Sequence, residues 1–505
     1  MQETIKVRLP ADCLREIFEN LSQEKKSLRT FLLVNRLWCE TVIPILWRDP
    51  FKLKRTYNSD PGFWTTITRT LLSCLSEESI ILFKQNGIYP PMIPLEECKP
   101  TLFDYVGYCQ NISCQDIYEI IPQIIGKEEI LTNVSYYHKG NLVENELWKL
   151  FITRCSTIKY LELPNISLLD YYNHDLNNRG SCLSHLVELE CSTSKSSQLF
   201  LDLAQTCSDI KKIVINLCDG DNEGLVTLIS MQKYLKEIVL VSPEGVQCPL
   251  IGEAIGTQYP SLSSIRLEEH ICIPSTILSK LINLKHLQID LEEEINSKLE
   301  LLDNCSFPLL ETLVIRNVNG KYLDIYTKLI NNTNGFLKII EIDTLPIPSL
   351  YHIKPYWQAL IKHCPQLEFV TVWYKDDSLN DLKKLLTTCG NKLKGIFFEA
   401  VLGQFSWRLL DLKCVFDLLI ELIDSNNIEE LHFRGSWTLH SKDLKKFLDN
   451  WGKKNGKGQK LIKKPLYISI NVDLQLSKET INIFEEFVNN GVLKGWSRSG
   501  EVGEV

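Results

Sequence analysis

The chain has 505 residues, more than one ordinary compact core holds, so several domains or one elongated repeat array is expected. Hydrophobic residues make up 44% and charged residues 23%, with no long Pro, Gly or Ser tract, which excludes extensive disorder. The net charge of −8 gives no whole-protein attraction to nucleic acid or an anionic membrane, and no apolar run approaches the roughly 18–20 residues that cross a bilayer. Met1 to Pro10 alternates polar and apolar residues without the apolar core of a secretory leader. The chain is therefore expected in the cytoplasm and/or nucleus, its 17 cysteines mostly free thiols.

The first predicted helix carries Leu14, Ile17, Phe18 and Leu21, spaced i, i+3, i+4, i+7 and so on one face. Pro10 stands where that helix starts and lacks the N–H that a first turn leaves unpaired. Asp12 places negative charge near the same positive end. A second helix is predicted from Ser27, with Leu28, Phe31, Leu32, Leu33, Val34, Leu37 and Trp38, a set too wide for one stripe. A segment of about forty residues has little core of its own, so part of this surface is expected to meet a partner. The pattern closes on Pro44, Leu46, Trp47 and Arg48.

Residues 5–50 resemble the F-box of fungal F-box proteins. The matching elements are Leu9-Pro10, Leu14-x-x-Ile17-Phe18-x-x-Leu21, Leu28, Phe31-x-Leu33-Val34-Asn35-x-x-Trp38 and Pro44-x-Leu46-Trp47-Arg48. The resemblance implies an all-helical F-box over 1–50 that docks on a Skp-type adaptor and, through it, a cullin–RING ubiquitin ligase. It also implies adaptor contact, or its immediate support, by Leu9, Pro10, Leu14, Ile17, Phe18, Leu21, Leu28, Leu33, Val34 and Trp38. The alternative for these helices is a cap over the open end of a repeat array.

Residues 51–150 show no clean repeat. Phe63 to Gln85 is predicted as helix, as is Ser113 to Ile121 ending before Pro122, and Pro90, Pro91 and Pro94 mark a break. A helical linker merging into degenerate early repeats is expected. Beyond it, L-x-x-L-x-L recurs, with Ile, Val or Phe as substitutes, starting at Ile158, Leu186, Ile210, Leu235, Leu262, Leu284, Leu310, Leu337, Leu367, Leu393 and Ile428. The mean spacing of about 27 falls in the leucine-rich-repeat range. Helical stretches such as Glu146 to Cys155 and Trp357 to Cys364 precede many copies, and helix then strand, repeated, builds a parallel sheet. Residues 151–490 thus resemble the repeats of leucine-rich-repeat F-box proteins. The implied fold class is α/β, an irregular solenoid with a curved parallel sheet and outer helices. The family's Asn eight positions after the first Leu is missing from nearly every copy, so its ladder is not expected. Leu466 to Ile470 is read as a last strand, Lys478 to Val488 as a last helix, and 491–505 as a tail.

Cys155, Cys207, Cys364 and Cys389 recur at helix-to-strand turns, where equivalent positions stack in a row rather than converge on a tetrahedron. They are read as structural thiols, with no metal and no cofactor expected. No nucleophile elbow, phosphate-cradling loop, dinucleotide fingerprint or H-E-x-x-H is present, so an enzyme is not expected. The lysines of 453–464 are read as a solvated loop. Strand alternation sends motif positions 3, 5 and 7 to the open sheet face, among them Glu188, Arg266, Glu341 and Asp343. The face turns aromatic late, and Phe369, Thr371, Trp373, Phe397, Glu399, His432 and Arg434 are the candidate target-binding residues.

The expected function is that of a non-catalytic substrate-recognition subunit of a Skp–cullin–F-box type ubiquitin ligase, a monomer within a hetero-complex. Its partners would be the adaptor and a target protein, not nucleic acid or a membrane. The alternative is a leucine-rich-repeat scaffold or inhibitor acting outside a ligase.

Overall fold

The computed structural model describes residues 9–22, 24–52, 62–91, 95, 100–126, 133–163, 182–291, 299, 302–401, 409–422, 427–452, 465–471 and 476–498. The chain gathers into two compact units, Met1–Leu235 and Lys236–Val505. Both alternate helices with parallel strands, so the fold class is α/β.

The first unit opens with α1 (Ala11–Asn20), α2 (Lys25–Phe31) and α3 (Arg36–Leu46). Leu14, Phe18, Leu28, Val42 and Ile45 form their shared core. Phe18, Phe31 and Trp38 meet ring to ring at 5.2, 5.2 and 5.3 Å. The single helix predicted from Ser27 is in fact two. Asn35 takes an extended backbone and its side chain accepts from Trp38 N at 3.0 Å, capping α3 and ending the run from α2. The overly wide apolar set is thereby divided between two helices.

Next come α4 (Gly62–Leu72), α5 (Glu77–Gln85), β1 (Asn111–Ile112), α6 (Cys114–Ile125) and α7 (Asn133–Arg154). Phe63 to Gln85 is likewise two helices, because Ser76 caps α5 by accepting from Ser79 N. α6 runs past Pro122, where the sequence predicts a stop. Its buried face of Ile117, Ile120, Ile121, Ile124 and Ile125 outweighs the lost backbone donor. The unit ends with β2 (Tyr160–Glu162), β3 (Glu188–Ser192), α8 (Ser197–Thr206), β4 (Lys212–Leu217) and α9 (Glu223–Ser230). β1 to β4 pair in parallel in that order.

The second unit contains β5 (Glu237–Val241), α10 (Pro249–Thr257), β6 (Ser264–Glu269), α11 (Ser275–Leu278), β7 (His286–Leu291), β8 (Thr312–Val318), α12 (Leu323–Asn331) and β9 (Ile339–Thr344). There follow α13 (Leu350–His363), β10 (Phe369–Tyr374), α14 (Leu379–Cys389), β11 (Gly395–Ala400), β12 (Leu410–Asp411), α15 (Leu412–Glu421), β13 (Glu430–Arg434), β14 (Trp437–Thr438) and α16 (Ser441–Trp451). β15 (Leu466–Asn471), α17 (Lys478–Asn489) and β16 (Leu493–Arg498) complete it. Its main sheet is parallel, in the order β5 to β11, β13, β15, β16. β12 and β14 form a separate pair. β16 lies in the segment read from sequence as a tail. It pairs with β15, and Trp496 stacks on Phe484 of α17 at 4.8 Å.

Each copy of the sequence motif opens a strand two residues after its first apolar position, as Leu284 precedes His286 and Leu310 precedes Thr312. Those first positions are buried in every copy, and the alternate residues behind them line the core. The residue just before each strand builds a ladder absent from the sequence reading. Lys285, Glu311, Lys338, Glu368, Lys394 and Glu429 precede successive strands of the sheet and alternate in sign. Glu311 is 3.0 Å from Lys285 and 2.6 Å from Lys338, and Lys394 is 2.5 Å from Glu368. Neighbouring backbones bond at the same level, with Lys338 N to Glu311 O at 2.8 Å and Lys394 N to Glu368 O at 2.7 Å.

Candidate functional site

Two surfaces carry the residues singled out by the sequence. The first is the three-helix module. Of its ten nominated residues, Leu14, Phe18 and Leu28 face inward and form the core, while Leu21 and Trp38 pack half-buried against it. Leu9, Pro10, Ile17, Leu33 and Val34 are exposed. Leu33 and Val34 are 88% and 54% exposed in the turn that Asn35 locks between α2 and α3. Arg48 forks onto Glu19 with both terminal nitrogens, one at 2.6 Å, tying the end of α3 to α1. That hydrogen bond holds the Glu19 carboxyl below its ordinary range. The turn is thus presented by a braced scaffold, with apolar side chains turned to solvent.

The second surface is the open sheet face of the second unit, between β9 and β16. Strand register sets its rows. One row runs Ile339, Phe369, Gly395, Glu430, Tyr467, Gly495; the next places Phe397, His432, Ser469 and Ser497 side by side. Phe397 and His432 stack with centroids 4.4 Å apart and planes 17° from parallel, and Tyr467 lies 5.8 Å from His432. Phe369 lies across Gly395, where an added Cβ would come within 2.4 Å of its ring. In the third row Arg434 reaches Glu399 at 3.4 Å and Asp343 at 3.6 Å.

Thr371 and Trp373 pair beside Phe397 and Glu399 but are buried, so they do not offer the exposed surface that the sequence predicts. Trp373 is 1% and Thr371 2% exposed. β9 and β10 pair only at Ile339–Phe369 and Ile340–Val370. Beyond that point side chains take over: Thr371 Oγ1 accepts from Ile342 N of β9 at 3.2 Å, while from α13 Tyr356 donates to Thr371 O at 2.8 Å and Trp357 Nε1 to Trp373 O at 3.0 Å. The Tyr356 ring meets the Trp373 ring at 5.1 Å. Phe369, Phe397, Glu399, His432 and Arg434 keep partly exposed positions. The sequence reading missed Gly395, Tyr467 and Lys494. The one signal for Tyr467 was its place between Leu466 and Ile468, both buried.

The electrostatics of the face are uneven. Burial pushes the Glu399 carboxyl up to about 7; Arg434 opposes this and Asp343 adds to it. Burial pulls His432 below its ordinary value, so the ring is neutral near pH 7. Burial would raise Glu430, but hydrogen bonds from Lys494, at 2.7 Å, and His432 hold it below the usual carboxylate value. The recurrent cysteines serve the backbone. Cys155 donates to Val106 O at 3.3 Å, Cys207 to Leu183 O at 3.2 Å and Cys389 to Cys364 O at 3.5 Å. Burial raises all three thiols, so the weakly nucleophilic protonated form dominates. The lysine run 453–464 and Pro164 lie outside the described residues.

No protein-family model and no curated protein matches this chain.

Proposed function

We propose that this chain is the substrate-recognition subunit of a Skp–cullin–F-box type ubiquitin ligase, with the α1–α3 module binding the Skp-type adaptor and the open sheet face binding the target. One observation carries the reading. Leu33 and Val34, with Ile17 and Leu9, are apolar and exposed on a module whose interior is already filled by Leu14, Phe18, Leu28 and Val42. Core demand does not account for them, and a partner surface does. Sorting the motif into inward and outward residues leaves a compact adaptor set: Leu9, Pro10, Ile17, Leu33 and Val34. In this reading the chain does no bond chemistry. It contributes proximity, holding a target near a ligase in the cytoplasm or nucleus.

The test is co-purification of the full chain with a Skp-type adaptor, wild type against Leu33→Asp/Val34→Asp. Wild type is expected to capture the adaptor, and the variant to lose capture with its thermal unfolding unchanged. A folded wild type that captures no adaptor ends the ligase reading. Equal capture by both proteins ends the assignment of the turn.

A further inference from the structure

We propose that the open face between β9 and β16 docks a basic segment of the target, with an arginine or lysine side chain laid over Phe397 and His432 and its charge held by Asp343 and Glu399. The proposal takes from the preceding section only that this face receives the target.

Shape comes first. Phe397 and His432 form a nearly parallel stacked pair, with Phe369 pressed over Gly395 and, beside them, Tyr467, whose ring already has Lys494 Nζ 5.7 Å above it. Partly exposed rings held in this way offer π faces, and a guanidinium or ammonium stacks on such faces. Neutral His432 adds no repulsion near pH 7.

Charge then selects the partner. On the strands of the sheet Arg266 meets Glu268 at 3.6 Å, Arg316 of β8, beside this face, meets Glu341 at 3.0 Å, and Arg434 within it meets Glu399 and Asp343. Glu430 is matched by Lys494. Beside the rings, Arg316 and Arg434 are two cations among Asp290, Glu341, Asp343 and Glu399, so the carboxylates outnumber them and the site carries excess negative charge. An acidic partner would meet that excess and only committed arginines. A basic one completes the set.

This predicts a pH signature. Glu399 faces Arg434 and Asp343; His432 faces Glu430, Arg434 and Lys494. Lowering the pH protonates Glu399 and then His432, and both changes disfavour a bound cation. Affinity should fall about tenfold from pH 8 to pH 6, the size expected for a carboxyl that titrates near 7 when free and well below 6 when paired.

The experiment uses the full-length chain and two fluorescein-labelled probes, a short peptide repeating Arg-Gly-Leu and its Glu-Gly-Leu counterpart, read by fluorescence anisotropy. The arginine peptide should bind at least about tenfold more tightly than the glutamate peptide, as an interaction between close charges and a π face predicts. Asp343→Asn/Glu399→Gln and Phe397→Ala should each weaken it about tenfold, while Glu237→Gln on β5 leaves it unchanged. Binding of the glutamate peptide as tightly overturns the proposal, as does unchanged binding by the Asp343/Glu399 variant. A loss from Glu237→Gln as large as from that variant would mean only general attraction to an acidic protein, and overturns it too. A pH profile flat from 8 to 6 removes Glu399 from the site. Peptide binding by a chain that captures no adaptor would keep this inference and end the ligase reading; adaptor capture without peptide preference would do the reverse.

Discussion

Glu311 receives two ammonium groups, Lys285 at 3.0 Å and Lys338 at 2.6 Å, and its carboxyl is held down at about 2. The folded value lies below the unfolded one. The stabilisation is therefore full above about pH 4.5 and is lost as pH falls towards 2. Glu311→Gln should flatten that part of the acid-unfolding curve, checked by urea midpoints at pH 7 and pH 3 for both proteins; parallel curves would refute it. Leu14 makes the complementary case. It is 1% exposed, so Leu14→Ala should cost about 3 kcal/mol in chemical unfolding, whereas changes at Leu33, 88% exposed, should cost almost nothing. Both leucines match the same sequence motif. Periodicity put Leu14 on a helix face but did not say which of Leu28, Leu33 and Val34 share it, because that depends on where the chain turns at Asn35.

Capping and close approach decide the elements. Asn35 and Ser76 each split a predicted helix in two, and both are residues whose side-chain oxygen can accept from a first-turn N–H. That signal was present in the sequence, but the apolar runs across it were stronger. α9 shows a limit of local reasoning. Gly224 lies in its first turn, and alanine there should help a helix by about 1 kcal/mol. An added Cβ, however, would come within 2.0 Å of Ser197 O at the start of α8. Gly224→Ala should therefore destabilise, by about 2 kcal/mol in urea unfolding, because backbone cannot yield as a side-chain tip can. Tyr356 tests the break between β9 and β10. Its hydroxyl serves the Thr371 carbonyl within a buried site, and Tyr356→Phe should cost about 1–3 kcal/mol by leaving that carbonyl without its donor. A stability equal to wild type would show that another group takes the bond.

At the scale of the molecule, the two candidate surfaces lie in different compact units: the helical module in Met1–Leu235 and the aromatic and carboxylate face in Lys236–Val505. If the chain recruits a target to a ligase, these surfaces serve different partners and should be separable. Leu33→Asp/Val34→Asp should abolish adaptor capture and leave peptide binding intact; Asp343→Asn/Glu399→Gln should do the opposite. Loss of both activities in either variant would argue for one shared site and against a bridging role.

The sequence by itself determined the repeat, the strand starts and the inward positions. Those follow from a period of two along each strand and a period of about 27 between strands, and both survive local variation. It also nominated Leu33 and Val34, which are exposed, though it set them on a helix and not in the turn that precedes Asn35. Only the tertiary structure decided the rest. Trp373 and Thr371 are buried where the backbone pairing of β9 and β10 stops and side chains replace it, Thr371 bonding Ile342 of β9 and α13 bonding the carbonyls of β10. The Lys–Glu ladder exists because residues about 26 apart in sequence stand side by side in space. Glu399 reaches about 7 because the packed strands bury it, with Asp343 of another strand adding to the rise and Arg434 opposing it. Each of these rests on which strand is adjacent and how far the pairing extends, and long-range packing settles both.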